Sequence, residues 1–394
     1  MEKINLASNE EITRISSLAT EKKSGIPFIQ NGERRILNNL YHTLVVGEDD
    51  VQKDNKIITP MIEQIISAEE SFVINAKSNN LYKKFESELK SQGYETICLN
   101  FDDPNNSDGF NILGLAFDLY KKGNKDKAIE ILENVGHYIF YEKMGPHTDP
   151  FWSNSATSLF IGCALKSFDK DDEITLDKIG KIVDTIEMSD VDKEDLAYNY
   201  LSGILMAPPE TKGSIISVFK QKYNLYASRE GLNRILSNST FDIKNINNKM
   251  AIFIIEGTSS VSKNLVSLII NEIYYICNIY ENNKKINLLV NNFDDMCPIK
   301  NVESIISLFT DLNVNVTAFI KNFNCLNKTY GRESAEILKL YFKNLIYLYS
   351  EDIPTLEYIS RMCGSLEYIS NLRNIKENEA LFIIVRILPF IVNI

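Results

Sequence analysis

The sequence is poor in the side chains that most directly carry chemistry. It has three histidines (His42, His137 and His147), one tryptophan (Trp152) and six cysteines in 394 residues. No histidine has a nucleophile or a ligand-spaced partner beside it, so no catalysis is assigned to them. The cysteines, at positions 98, 163, 277, 297, 325 and 363, contain no C-x-x-C pair, so reduced thiols are expected rather than a disulfide framework. Long apolar runs are also missing. The longest, Ala380 to Ile394, carries Arg386 and Pro389 and is shorter than the roughly 18 to 20 residues of a bilayer span; it reads as one or two buried strands. The opening Met1-Glu2-Lys3-Ile4-Asn5-Leu6 lacks the pattern of a secretory leader, so a cytoplasmic place is expected, with the membrane reached only through partners. Forty-two Lys and Arg against 53 Asp and Glu give a net charge of −11, which excludes an overall basic, polyanion-coating surface. The balance of 44% hydrophobic and 24% charged residues is that of a folded globular chain.

Periodicity predicts an α/β rhythm at both ends of the chain. Strands are expected at Thr43–Val46, Ser71–Ile74 and Thr96–Leu99, separated by helices at Ile57–Ala68 and Leu81–Ser91. From Leu113 to Leu236 the spacing is helical throughout, with a strongly acidic stretch from Asp169 to Asp195. Strands return at Met250–Ile255, Ile286–Val290, Val314–Ala318, Asn344–Tyr349 and Ala380–Val385, with a helix over Lys263–Tyr280. About eight strands in a mostly parallel sheet follow, interrupted by an all-α region. The expected division is 1–112 and 241–394 for two parts of the sheet domain and 113–240 for the helical insert. A local repeat, Leu356–Ser360 echoed at Leu366–Ser370, occurs once and is no solenoid.

The first strand runs into Gly47-Glu48-Asp49-Asp50-Val51-Gln52-Lys53-Asp54, where a phosphate loop of the form G-x-x-x-x-G-K-[ST] sits in a nucleotide-hydrolysing fold. Gly47 and Lys53 match the first Gly and the Lys. Gln52 replaces the second Gly, and Asp54 replaces the magnesium-binding hydroxyl. Taken alone, this reads as a solvated acidic loop.

Further stretches occur in a telling order. They are Gly25-Ile26-Pro27, Val73-Ile74-Asn75-Ala76-Lys77, Gly93-Tyr94, Asp103-Pro104 with Ser107 and Asn111-Ile112-Leu113, and Asp149-Pro150-Phe151-Trp152 with Ala156. Thr211-Lys212-Gly213-Ser214, Phe241-Asp242-Ile243, Leu326 with Tyr330-Gly331, Asn344, Asp352, Thr355, Ile359-Ser360 and Gly364 follow. In this order and spacing the chain resembles the TraG-like type IV secretion coupling proteins, the ring-forming ATPases of bacterial conjugation. The resemblance covers nearly the whole sequence. It implies a RecA-like P-loop NTPase fold, a mostly parallel sheet flanked by helices, with an inserted all-α domain that recognises substrate.

Against that family pattern the departures fall on the chemistry. Where the family has a strand ending in D-E-F, whose Asp holds the magnesium shell and whose Glu orients the attacking water, this chain has Asn291-Asn292-Phe293. An amide lacks the charge that suits a hard cation and cannot act as a base. Lys321 and Cys325 stand at the family's two glutamine positions, which would sense the γ-phosphate. Glu48, Asp49, Asp50 and Asp54 bring four negative charges to the loop; two like charges about 4 Å apart repel by about 4 kcal/mol at an effective dielectric of 20. The resemblance with these losses implies a pseudo-ATPase with no intact catalytic residue. Its degenerate phosphate loop comprises Gly47, Gln52, Lys53 and Asp54. It would keep no resident cofactor, ATP and Mg2+ entering only if that loop still binds, and no metal unless a shifted register uses Asp294 and Asp295. Implied partners are type IV secretion or relaxase-complex proteins, DNA through a ring channel, and like or unlike subunits of a ring. Two alternatives stay open: an active ATP-dependent DNA translocase with unorthodox motifs using Lys53, Asp54 and Asp294 or Asp295, and a non-enzymatic scaffold.

Overall fold

The computed structural model describes residues 6–38, 41–142, 149–280, 282, 284–365 and 368–394. His147 and the first two residues of the Leu366–Ser370 repeat lie outside them, as do residues 1–5. Twelve strands form one sheet: β1 (Ser16–Leu18), β2 (Pro27–Gln30), β3 (Glu33–Leu37), β4 (Thr43–Gly47), β5 (Ser71–Ala76), β6 (Glu95–Asn100), β7 (Met250–Ile255), β8 (Ile286–Val290), β9 (Val314–Ile320), β10 (Asn344–Tyr349), β11 (Glu379–Ile384) and β12 (Phe390–Asn393). Their spatial order is β1-β3-β2-β12-β11-β10-β4-β9-β8-β5-β7-β6. The neighbours from β10 through β4, β9 and β8 to β5 pair in parallel. Those from β10 back to β1 are antiparallel.

Every residue of β4, β5, β7 and β8 is buried, as continuous Val, Ile, Leu and Phe runs require when both sheet faces are covered. The helix Thr59–Ser67 shows why its sequence folds as it does. Met61, Ile62, Ile65 and Ile66 recur at helical spacing and are buried, while a wide π turn over Asp54–Ile58 adds Ile57 and Ile58 to the same buried set.

The eight expected strands are all present, as β4 to β11, with ends differing by up to two residues. Three more were not expected, β1, β2 and β3, while β12 is the second of the one or two strands read in Ala380 to Ile394. They are three to five residues long, and β3 starts with Glu33-Arg34-Arg35. Arg35 is nevertheless buried, its Nε donating to Ser16 Oγ at 2.9 Å. Gly25 supports this meander, since a Cβ there would stand 2.4 Å from the Leu37 carbonyl oxygen.

The chain divides into two compact units. The first comprises residues 1–97, 243–254 and 276–394, the second 98–242 and 255–275. The boundary therefore falls near residue 97 rather than 112, and most of the helix Ser260–Ile279 joins the second unit.

Within the second unit, the part of β6 from Cys98 onward is closed by side chains: Asp108 Oδ2 accepts from the Cys98 amide at 2.8 Å, and Ser107 Oγ from the Asn100 amide at 2.8 Å. The helices are capped locally, Asp149 accepting from the Phe151 amide at the start of Pro150–Lys170 and Thr175 from the Lys178 amide at the start of Leu176–Thr185. Gly162 lets the helix Tyr198–Leu205 approach, because a Cβ there would stand 2.4 Å from Leu201 Cγ. Asn111 Nδ2 ties Ile174 O and Ser237 O at 2.9 and 3.0 Å. This unit carries 25 acidic and 16 basic side chains, so −9 of the net −11 resides in it.

Glu272, in the helix Ser260–Ile279, is fully buried, and neither carboxyl oxygen has a hydrogen-bond partner among the described residues. Burial holds its carboxyl well above the ordinary 4.5. The folded chain therefore keeps a proton that the unfolded chain releases above 4.5. Stability is full below that pH and falls by about 1.4 kcal/mol per pH unit until the folded value is passed. Glu272→Gln is expected to melt higher than wild type at pH 7.5, with the gap closing toward pH 4.5; a gap independent of pH in thermal denaturation contradicts the assignment.

Candidate functional site

Parallel strands deliver their following loops to one sheet edge, and the loops after β4, β5, β8, β9 and β10 meet there through named bonds. Gly47 ends β4 against Leu348, where a Cβ would lie 3.1 Å from that side chain. Glu48 turns toward β10: its Oε1 accepts from Ser350 Oγ at 2.6 Å and from the Glu351 amide at 3.1 Å. Asp49 caps a helical turn, Asp50–Lys53, its Oδ1 accepting from the Gln52 amide at 3.0 Å. The Lys53 amide donates to Asp49 O at 3.1 Å and the Asp54 amide to Asp50 O and Val51 O. Helical geometry thus begins at Asp50, and the amides of residues 52 to 54 are already bonded within the loop. Gln52 is turned away, its Nε2 donating to Glu377 O at 2.8 Å.

Lys53 is 0% exposed, and its Nζ lies 2.9 Å from Asp50 Oδ1. Asp50 Oδ2 holds Lys77 Nζ at 2.6 Å. Burial would raise the Asp50 carboxyl, but its bonds to Lys77 and Lys53 outweigh that and keep it below the ordinary 3.8. Asp54 moves the other way: burial and then the Asp50 charge raise it, and its Oδ1 has no hydrogen-bond partner among the described residues.

The end of β8 is rigid and polar. Asn75, the last polar position of β5, clamps Asn291: its Nδ2 donates to Asn291 O and its Oδ1 accepts from the Asn291 amide, both at 2.7 Å. Asn291 Oδ1 accepts from the Asn292 amide at 3.0 Å, and Asn292 sits in left-handed geometry at φ 52°. Phe293 stacks on Tyr330 with ring centroids 4.8 Å apart. Asp294 lies beyond the strand end and is buried; its Oδ2 accepts from the Lys321 amide at 2.7 Å, and Oδ1 has no partner among the described residues. Burial raises its carboxyl, opposed by the Lys321 amide and the Lys53 charge, so Asp294 and Lys53 share one electrostatic neighbourhood. Asp295 is exposed. Cys325 is half-buried, its thiol pushed up by burial and then by the Asp294 charge. Among the described residues no cluster of three His, Cys, Asp or Glu side chains has metal-holding geometry.

The site thus joins Lys53, Asp54, Asp294, Lys321 and Cys325, leaves Gln52 turned toward Glu377 and Asp295 exposed, and adds Asp50, Lys77 and Asn75 as the residues that bind it together. Lys77 is half-exposed and ion-paired. Trp152 is exposed and packs edge-on against exposed Phe151. His42 is structural. Its Nδ1 accepts from the Val316 amide at 3.0 Å, its Nε2 lies 2.8 Å from Ile306 O, and burial lowers it to about 4. All six cysteines are free thiols.

The profile of the family described as type IV secretory system conjugative DNA transfer matches residues 7–376. The chain belongs to that family. Among solved structures, it is similar to an unbound form of the bacterial conjugative coupling protein TrwB, at 12% identity and a TM-score of 0.70 over 99% of this chain and 92% of that one. It is also similar to plasmid coupling protein TrwB in complex with a non-hydrolysable ATP analogue, at 12% identity and a TM-score of 0.72 over 99% and 92% of the chains. VirB4 of Thermoanaerobacter pseudethanolicus matches at 10% identity and a TM-score of 0.63 over 94% and 96%. No curated protein sequence matches the chain. The likenesses establish the RecA-like P-loop fold, a mostly parallel sheet flanked by helices. Among the described residues no helix is long and apolar enough to cross a membrane.

Asn75→Ala removes both bonds to Asn291 and leaves a buried amide and carbonyl unpaired. A loss of about 2–4 kcal/mol is expected in urea unfolding, with hydrogen exchange accelerated first at residues 291 to 294; an unchanged midpoint contradicts the clamp.

Proposed function

We propose that this member of the conjugative DNA-transfer family works without hydrolysing ATP and serves to recruit a substrate or partner. One observation carries the reading: the loop lysine, Lys53, is buried and already neutralised by Asp50 in the loop's own first helical turn. An ATP analogue, or ADP with magnesium, as held in the TrwB complexes, does not fit these residues. The lysine that would meet the phosphates has its counter-ion, the amides of residues 52 to 54 are bonded within the loop, and Asp50, Asp54 and Asp294 oppose added negative charge. At the end of β8, Asn291 and Asn292 supply neither a charged ligand nor a base.

Recruitment then falls to surfaces. Residues 169–195 hold eleven acidic and four basic side chains, many of them exposed. Such a stretch attracts a basic protein of the secretion or relaxase complex and repels bare phosphate backbone. A second reading, an active translocase with a rearranged site, is favoured by one feature, the shared neighbourhood of Lys53 and Asp294.

Titration with labelled ATP and magnesium, with phosphate release measured in parallel, separates the two. No saturable binding at millimolar nucleotide is expected. Micromolar binding with turnover, lost in both Lys53→Ala and Asp294→Asn, would establish the second reading instead.

A further inference from the structure

A buried ammonium needs a counter-ion, because an unpaired charge in a low-dielectric interior is strongly unfavourable. Lys53 has one: among the described residues Asp50 is the only carboxylate within ion-pair distance of its Nζ. The second oxygen of the same carboxylate takes Lys77, which follows β5 rather than β4. Two ammonium groups from two different loops therefore converge on the two oxygens of one anion, Lys77 by a hydrogen bond at 2.6 Å and Lys53 by an ion pair at 2.9 Å without hydrogen-bond geometry. That is how a protein holds an oxyanion, and here the anion belongs to the chain. Its position is fixed by local geometry: Asp49 caps the turn, and Asp50 and Lys53 stand three residues apart on one helical face. The Asp50 side chain is 36% exposed on the side of Lys77, while its Oδ1, facing Lys53, is buried.

We propose that Asp50 fills a latent oxyanion site formed by Lys53 and Lys77, and that removing its side chain opens this site to inorganic phosphate or sulfate. The inference rests on the reading that the loop is closed to nucleotide, and names the residue that closes it. It distinguishes an acidic loop that merely repels phosphate from one that has replaced it.

The test is thermal denaturation of the full chain with and without inorganic phosphate. In chloride buffer Asp50→Ala is expected to melt roughly 5–10 °C below wild type, the fall expected for a buried charge left uncompensated. Phosphate at tens of millimolar is expected to recover most of that fall while moving wild type little. Phosphate also stabilises folded chains non-specifically, so a D50A/K53M double variant serves as control. Without its buried ammonium it is expected to respond no more than wild type. If D50A is unfolded in chloride, recovery of its circular dichroism on dialysis into phosphate is the same positive result. A D50A protein as stable as wild type, or one that phosphate does not rescue beyond the double variant, overturns the proposal. Tight ATP binding by wild type would overturn the closed-loop reading itself, whereas a nucleotide-inert wild type with an unresponsive D50A overturns only the assignment of Asp50.

Discussion

Parallel pairing is the constraint from which the rest follows. Strands β10, β4, β9, β8 and β5 can lie side by side in one direction only if crossovers between them return the chain to the same starting edge. Their ends must then collect at one edge whatever residues they carry. The side chains gathered there are drawn from positions as far apart in sequence as Glu48 and Ser350, or Asn75 and Asn291, and are bonded to one another directly. What the family uses as a place for phosphates is thus preserved as a place by the apolar runs of the strands. Those runs would hold the loops together even if every polar residue in them changed.

The parallel part of the sheet was legible because it depends on uninterrupted burial. Met250-Ala251-Ile252-Phe253-Ile254-Ile255 and Ile286-Asn287-Leu288-Leu289-Val290 announce themselves, and their observed bounds coincide with the expected ones. Strands β1 to β3 were not legible, because a short strand in a meander tolerates charge. Arg35 breaks the apolar pattern and is satisfied by Ser16, nineteen residues away, and by Glu33 on its own strand. The partition into units was also beyond reach. Periodicity identifies the helix Ser260–Ile279 but not the set of contacts to which its residues belong, which is a long-range property.

At the site, spacing marked Gly47 and Lys53 as candidates, and the amides at 291 and 292 stand where the resemblance would place carboxylates. What spacing could not give was the separate use of each acidic residue in the loop. Read as a sum, Glu48, Asp49, Asp50 and Asp54 are four repelling charges. Read in three dimensions, Glu48 joins the loop after β10, Asp49 caps a turn, Asp50 bridges two lysines and Asp54 is half-buried with its carboxyl raised. Asn75 was quoted for its place in a pattern, and its function as a clamp went unseen. The available signal was a lone amide ending the apolar run Phe72-Val73-Ile74, where a polar side chain is kept only if it has partners.

The meander has one more property, which concerns time rather than space. Strand β2 pairs with β12, and the Ala7 amide bonds to Pro389 O at 3.1 Å, so some of the earliest described residues are fastened by some of the last. During synthesis the segment from Ser16 to Leu37 can pair within itself, but it cannot join the sheet until Phe390–Asn393 has left the ribosome. Such pairing closes nearly the whole chain into one loop, the slowest kind of contact to form. The sheet is finished by a strand of four residues, and until it arrives β11 and β2 are both open edges.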